Sequence, residues 1–129
     1  MKVSIIIPNW NGMKFIGMCL DSLNQSDFYS YETIVVDNGS VDGSREMIEK
    51  DYPLVRLIKN SENMGFAVAC NQGIKAAKGK YISLLNNDIE VESNWLTNLY
   101  EGMERHPECG MGTTKMMFLD QRDVFYNTG

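Results

Sequence analysis

Three segments of this chain are apolar through strand-length runs and then turn abruptly polar. Val3 to Ile7 leads into Pro8-Asn9-Trp10-Asn11, Ile34-Val35-Val36 into Asp37-Asn38-Gly39-Ser40, and Tyr81 to Leu85 into Asn86-Asn87-Asp88. Runs without polar alternation suit strands covered on both faces, as in parallel sheets. Open α/β sheets bind ligands outside the carboxyl ends of their strands. Asp37 and Asp88 are therefore expected to share one cleft.

The intervening segments carry helical periodicity. Phe15, Ile16, Cys19, Leu20 and Leu23 predict an amphipathic helix over Met13 to Leu23. Ser40 or Asp42 can cap a helix over Ser44 to Lys50, which Pro53 stops. Val55 to Lys59 reads as a further strand and Asn60 to Gly65 as a loop. Phe66, Ala69, Cys70, Gly73, Ile74 and Ala77 mark one narrow helical face suited to close approach to a sheet, with Gly79 as terminator. Trp95, Leu96, Leu99, Tyr100 and Met103 predict another helix ending near His106-Pro107. Four β-α units in series imply a twisted, mainly parallel sheet flanked by helices. Met111 to Phe118 and Val124 to Tyr126 look like a late hairpin around Asp120 to Asp123.

Composition narrows the function. With 43% hydrophobic residues over 129 positions the chain can bury a core as one domain. A net charge of -5 gives no general attraction to nucleic acid or anionic lipid, because such binding needs clustered Lys and Arg. The apolar start is too short for a signal peptide core or a membrane span. Cys19, Cys70 and Cys109 are odd in number and lack metal-type spacing, so buried reduced thiols in a cytoplasmic setting are expected. The nine Met residues read as gap fillers in the core.

Several polar residues have the chemistry of a site. Asp37 is followed by residues that tolerate tight turns, but the next segment is helical, so a ligand loop fits better than a hairpin. A carboxylate here would accept the ring N-H of uracil, thymine or guanine, which cytosine lacks. Asn86-Asn87-Asp88 is either a polar turn or a cluster of oxygen donors for Mg²⁺ or Mn²⁺, whose shell a diphosphate and water would complete. Asn63 and Gly65, at a helix start, and Asn71 within that helix suit an anion. Trp10 could stack on a base or sit at the core rim. No P-loop and no Gly-x-Gly-x-x-Gly follows a strand.

In this order and spacing, Val3 to Asn11, Val35 to Ser44, Asn63 to Asn71 and Leu85 to Asp88 closely resemble family 2 glycosyltransferases of the GT-A fold. The likeness is strongest from Val3 to Asn94. It implies a GT-A α/β fold, a nucleotide-sugar donor (UDP-, dTDP- or GDP-linked), a divalent cation, and transfer with inversion to a glycan or lipid-linked saccharide. It further implies that Pro8, Asn9, Trp10, Asn11, Asp37, Asn38 and Asn87 frame the nucleotide, with Asn63, Gly65 and Asn71 near it. Asp88 would hold the metal as the last residue of the family's Asp-x-Asp motif. Asn86 stands where that motif has its first Asp, and this Asn-rich pattern looks most like the rhamnosyltransferase branch, which would suit dTDP-rhamnose.

The acidic general base of the family lies beyond the segment that Val124 to Gly129 resembles. On this reading residues 1–129 form the incomplete, donor-binding part of a domain truncated at its C-terminus, with acceptor recognition and any peripheral contact with the inner membrane face elsewhere in the full-length enzyme. An open sheet edge makes self-association an expectation. Two other classes compete. A phosphoacceptor receiver needs an acidic pair after the first strand, where Pro8-Asn9-Trp10-Asn11 stands instead. A non-catalytic nucleotide-binding or scaffolding module would share the same shape.

Overall fold

The computed structural model describes residues 1–118, 120–121 and 125–127. Four parallel strands, β1 (Val3–Asn9), β2 (Tyr31–Asp37), β3 (Arg56–Lys59) and β4 (Tyr81–Leu84), form one sheet in the order β3-β2-β1-β4. Helices α1 (Ile16–Asn24), α2 (Ser44–Asp51) and α3 (Phe66–Ala76) connect them in turn, and α4 (Trp95–Arg105) follows β4. β5 (Met116–Met117) pairs antiparallel with β6 (Phe125–Asn127), the expected hairpin, although Val124 lies outside the described residues. This is the α/β architecture that the apolar runs predict.

Side-chain parity along β1 sorts the core into two layers. Val3, Ile5 and Ile7 point to one face, where they meet Ile16, Cys19, Leu20 and Leu23 of α1, Ile48 of α2 and Leu96 of α4. Ile6 points the other way and packs with Ile34, Val36 and Ala69 under α3. β1 and β2 are thus covered on both faces, which removes the polar alternation that a half-solvated strand would need. By contrast β4, at the sheet edge, leaves Ile82 and Leu84 exposed, so its apolar run is covered on one face only.

α3 lies very close to the sheet because Gly73 faces it. A Cβ at Gly73 would stand 2.2 Å from Ile6 Cγ2. Of the expected apolar face, Ala69, Cys70 and Gly73 are buried, whereas Phe66 and Ile74 are exposed at its two ends. The helix ends at Ala77, ahead of Gly79, whose N-H donates to Ser4 Oγ at 2.8 Å. Gly79 thus belongs to the link into β4 and is not the helix terminator.

The expected first helix starts three residues late, at Ile16, because Gly12 to Phe15 form a turn. Gly43 precedes α2, and Asp42 Oδ1 accepts from the Ser44 N-H at 3.0 Å. Cys19 and Cys70 are buried as expected, but Cys109 is exposed. Its N-H closes a turn onto His106 O at 2.9 Å just after α4. Among the described residues no helix is long and apolar enough to cross a membrane.

Candidate functional site: a cleft at the carboxyl ends of the strands

Strand order places a crevice where the chain direction of the winding reverses. β2 lies on one side of β1 and β4 on the other, so loops leaving β1 and β4 diverge at the carboxyl edge. The hydrogen-bond ladder shows the parting: β4 pairs with β1 only to Leu84, with Leu85 N still reaching Ile6 O at 3.0 Å. Pro8, which has no N-H to donate, falls just after that point. A cleft of about 380 Å³ opens there, lined by Pro8, Asn9, Trp10, Asn38, Asn63, Phe66, Asn86, Asn87 and Asp88. Its size is within the range of small-ligand sites.

The cleft has chemically distinct walls. From the β4 side, Asp88 and Asn86 are exposed and present a carboxylate and an amide. From the β2 side, Asn38 Nδ2 donates to Gly65 O at 3.1 Å and Gly65 N to Asn63 Oδ1 at 2.9 Å, which brings the start of α3 to the cleft. No side chain caps α3 and its first turn holds no acidic residue, so its leading N-H groups attract anions. Trp10 and Phe66 contribute two exposed aromatic rings. Phe66 was missed as a lining residue because its spacing matches the core face of the helix; the preceding glycine, at φ 90°, was the available signal of a sharp entry.

Beneath the cleft is a closed polar network that no sequence motif announces. Asn9 is buried, and its Nδ2 lies 3.0 Å from Asp37 Oδ2, 3.1 Å from Ser44 Oγ and 3.3 Å from Ser40 Oγ. Asp37 Oδ1 accepts from Ser40 N at 3.0 Å and from Arg45 Nε and Nη2 at 3.0 and 2.9 Å. On the other side Asn9 Oδ1 accepts from Asn87 Nδ2 at 2.9 Å. Asn11, at φ 48°, joins the same loops: its N-H donates to Ser40 Oγ and its Oδ1 accepts from Val41 N, both at 2.9 Å.

One expectation is corrected by this geometry. The Asp37 carboxylate is fully buried under α2 and does not line the cleft; both oxygens already accept hydrogen bonds. Register pairs Asp37 with Asn9, so both project to the α1 and α2 face. Asp37 thus stands below the cleft, and among the described residues Asp88 alone supplies a cleft-lining carboxylate. Asn71 is exposed on α3 and likewise lies outside the lining.

The Asp88 loop is held from below by α1. Cys19 Sγ lies 3.7 Å from Asn86 O, Ile89 N donates to the same oxygen at 3.4 Å, and Val91 N donates to Ser22 Oγ at 3.1 Å. Burial, reinforced by the charge of Asp88, pushes the Cys19 thiol up to about 12, so it stays a neutral S-H.

Among the described residues there is no cluster of three or more His, Cys, Asp or Glu that could hold a metal. One carboxylate and one amide oxygen fit a hard cation whose remaining positions go to phosphate and water, and do not fit zinc. Asp88 and Asn86 have that donor chemistry.

Residues 4–123 match the profile described as Glycosyl transferase family 2. The chain belongs to this family. Glycosyltransferase GlyG of Streptococcus pneumoniae is 30% identical over 79% of this chain and 35% of its own length. Poly(ribitol-phosphate) beta-glucosyltransferase of Bacillus spizizenii is 37% identical over 89% of this chain and 19% of its own. Among solved structures, residues 1–349 of S. aureus TarS superpose with a TM-score of 0.77 at 25% identity, covering 92% of this chain and 40% of that one. The family 2 chain described here therefore spans about a third or less of the curated relatives just named, and its parallel sheet with flanking helices is the GT-A arrangement of such neighbours.

Proposed function

We propose that this family 2 chain supplies the donor- and metal-binding part of a glycosyltransferase that moves a sugar from a nucleoside diphosphate to an acceptor hydroxyl with inversion. One observation carries the reading. Asp88 and Asn86 line the same cleft as the uncapped start of α3, so a cation-binding pair and an anion-binding helix end converge where a diphosphate would lie. Relatives support the ligand class: TarS has been solved with UDP-GlcNAc and with UDP, and the mannosyltransferase PcManGT of Pyrobaculum calidifontis with GDP-Man and Mn²⁺.

Within this reading Trp10 and Phe66 offer ring faces to the base, and Asn38 and Asn63 hydrogen bonds to the nucleoside. Asp88 and Asn86 would hold Mn²⁺ or Mg²⁺, which when bound neutralises charge on the departing diphosphate. The α3 N-H groups stabilise the same charge without a cation. The acceptor is a glycan or lipid-linked saccharide, and none of the described residues is assigned as the base that deprotonates it. The Asn at position 86 keeps dTDP-rhamnose among the candidate donors.

Calorimetric titration of UDP, dTDP and GDP, with and without Mn²⁺ and followed in parallel by tryptophan fluorescence, tests the assignment. Mn²⁺ is expected to strengthen binding; Asp88→Ala abolishes that gain and Asn86→Ala only reduces it. Equal affinities with and without Mn²⁺, or in both variants, overturn the metal assignment.

A further inference from the structure

We infer that Asn87 is a positioning residue, locked by Asn9 across the missing side chain of Gly12, and that this lock holds Asp88 and Asn86 in the cleft. The inference rests on the proposed cation site and adds to it a device that orients the site from below.

The polarity of the lock is dictated by a charge. The Asp37 carboxylate only accepts hydrogen bonds, so Asn9 must turn its Nδ2 toward it and its Oδ1 away. The outward Oδ1 then requires a donor, and Asn87 Nδ2 supplies it at 2.9 Å. The orientation of the Asn87 amide is thus inherited from Arg45 and Asp37, on the opposite side of β1. Asn87 is flanked by the two residues proposed to hold the cation, so fixing its side chain fixes the loop on which both stand.

Gly12 makes room for this contact. A Cβ there would lie 2.1 Å from Asn9 Oδ1 and 2.3 Å from Asn87 Nδ2, inside the hydrogen bond itself. Gly12 is not at a positive φ, so its requirement is space and not backbone conformation. Its carbonyl accepts from both Phe15 N and Ile16 N at 2.9 Å, which ties the lock to the start of α1. Cys19 and Ser22 of α1 hold the remainder of the same loop. The lock therefore joins the elements that carry the cleft.

The test uses the whole chain, UDP as ligand and Mn²⁺ as cation, and reads the ratio of UDP affinity with Mn²⁺ to that without. Simple loss of folded protein lowers both affinities together and leaves the ratio unchanged. Asn87→Ala and Gly12→Ala are each expected to lower the Mn²⁺ affinity that governs the ratio by roughly 10- to 100-fold, the range found when a residue supporting metal ligands is removed. Because both break one hydrogen bond, the double variant should lose no more than the larger single loss. Asn87→Asp sets two acceptors face to face and should also lower the ratio, although it adds a carboxylate beside Asp88. An unchanged ratio in both single variants, additive losses, or a higher ratio for Asn87→Asp overturns the lock. A wild-type chain whose UDP affinity ignores Mn²⁺ overturns instead the cation site on which it rests.

Discussion

Arg45 meets Asp37 with two nitrogens, Nε at 3.0 Å and Nη2 at 2.9 Å from a single carboxylate oxygen, while Nη2 also donates to Asn60 O at 3.1 Å. The pair fastens α2 to the ends of both β2 and β3. Burial alone would raise the Asp37 pKa, but hydrogen bonds from Ser40, Asn9 and Arg45 outweigh it and hold the group below its ordinary 3.8. A group with a depressed folded pKa contributes stability that is complete above its unfolded value and is lost as pH falls through the folded one. Urea unfolding should therefore show stability declining below about pH 4, and Asp37→Ala should remove part of that decline while costing about 3 kcal/mol at neutral pH. A variant with the same pH dependence and stability as the parent would contradict this role.

Gly73→Ala should destabilise the fold although alanine is the better helix former. The added methyl would lie 2.2 Å from Ile6 Cγ2 and 3.3 Å from Val36 Cγ2, with a fully packed sheet behind them. Overpacking of this kind costs roughly 1 to 3 kcal/mol. Thermal unfolding of the variant should show a lower midpoint; a raised midpoint would mean that α3 can move off the sheet without loss.

The three thiols should react in two classes. Cys109 is exposed, whereas Cys19 and Cys70 are buried with thiols pushed up by desolvation, that of Cys19 to about 12. Since the thiolate is the reactive form, brief alkylation at pH 8 should modify Cys109 and spare the other two until denaturant is added. Peptide mass mapping reads the outcome directly, and early modification of Cys19 would contradict its burial.

Much of the scaffold was legible because it depends on short-range patterns. Continuous apolar runs found β1, β2 and β4, and helical spacing found α1 and α4, since hydrophobic period is a property of neighbouring residues. The candidate cleft was legible only as an address. Polar residues after apolar strands had to emerge at the carboxyl edge, which is where Asn38, Asn86 and Asp88 stand. Cys109 shows the limit: its lack of metal-type spacing suggested a buried thiol, yet it is exposed in the turn after α4.

What local sequence determined, then, was the order of strands and helices, the parallel sheet they imply and the edge at which its polar residues gather. Tertiary structure alone decided which of those residues face a ligand. Asn9 and Asp37 share a register position on the sheet and both turn inward beneath α2, where a buried carboxylate requires donors. Asp88 continues into an open loop and stays in solvent. Whether a side chain at a strand end is floor or wall depends on what packs over it, and those partners come from remote segments that no local pattern encodes.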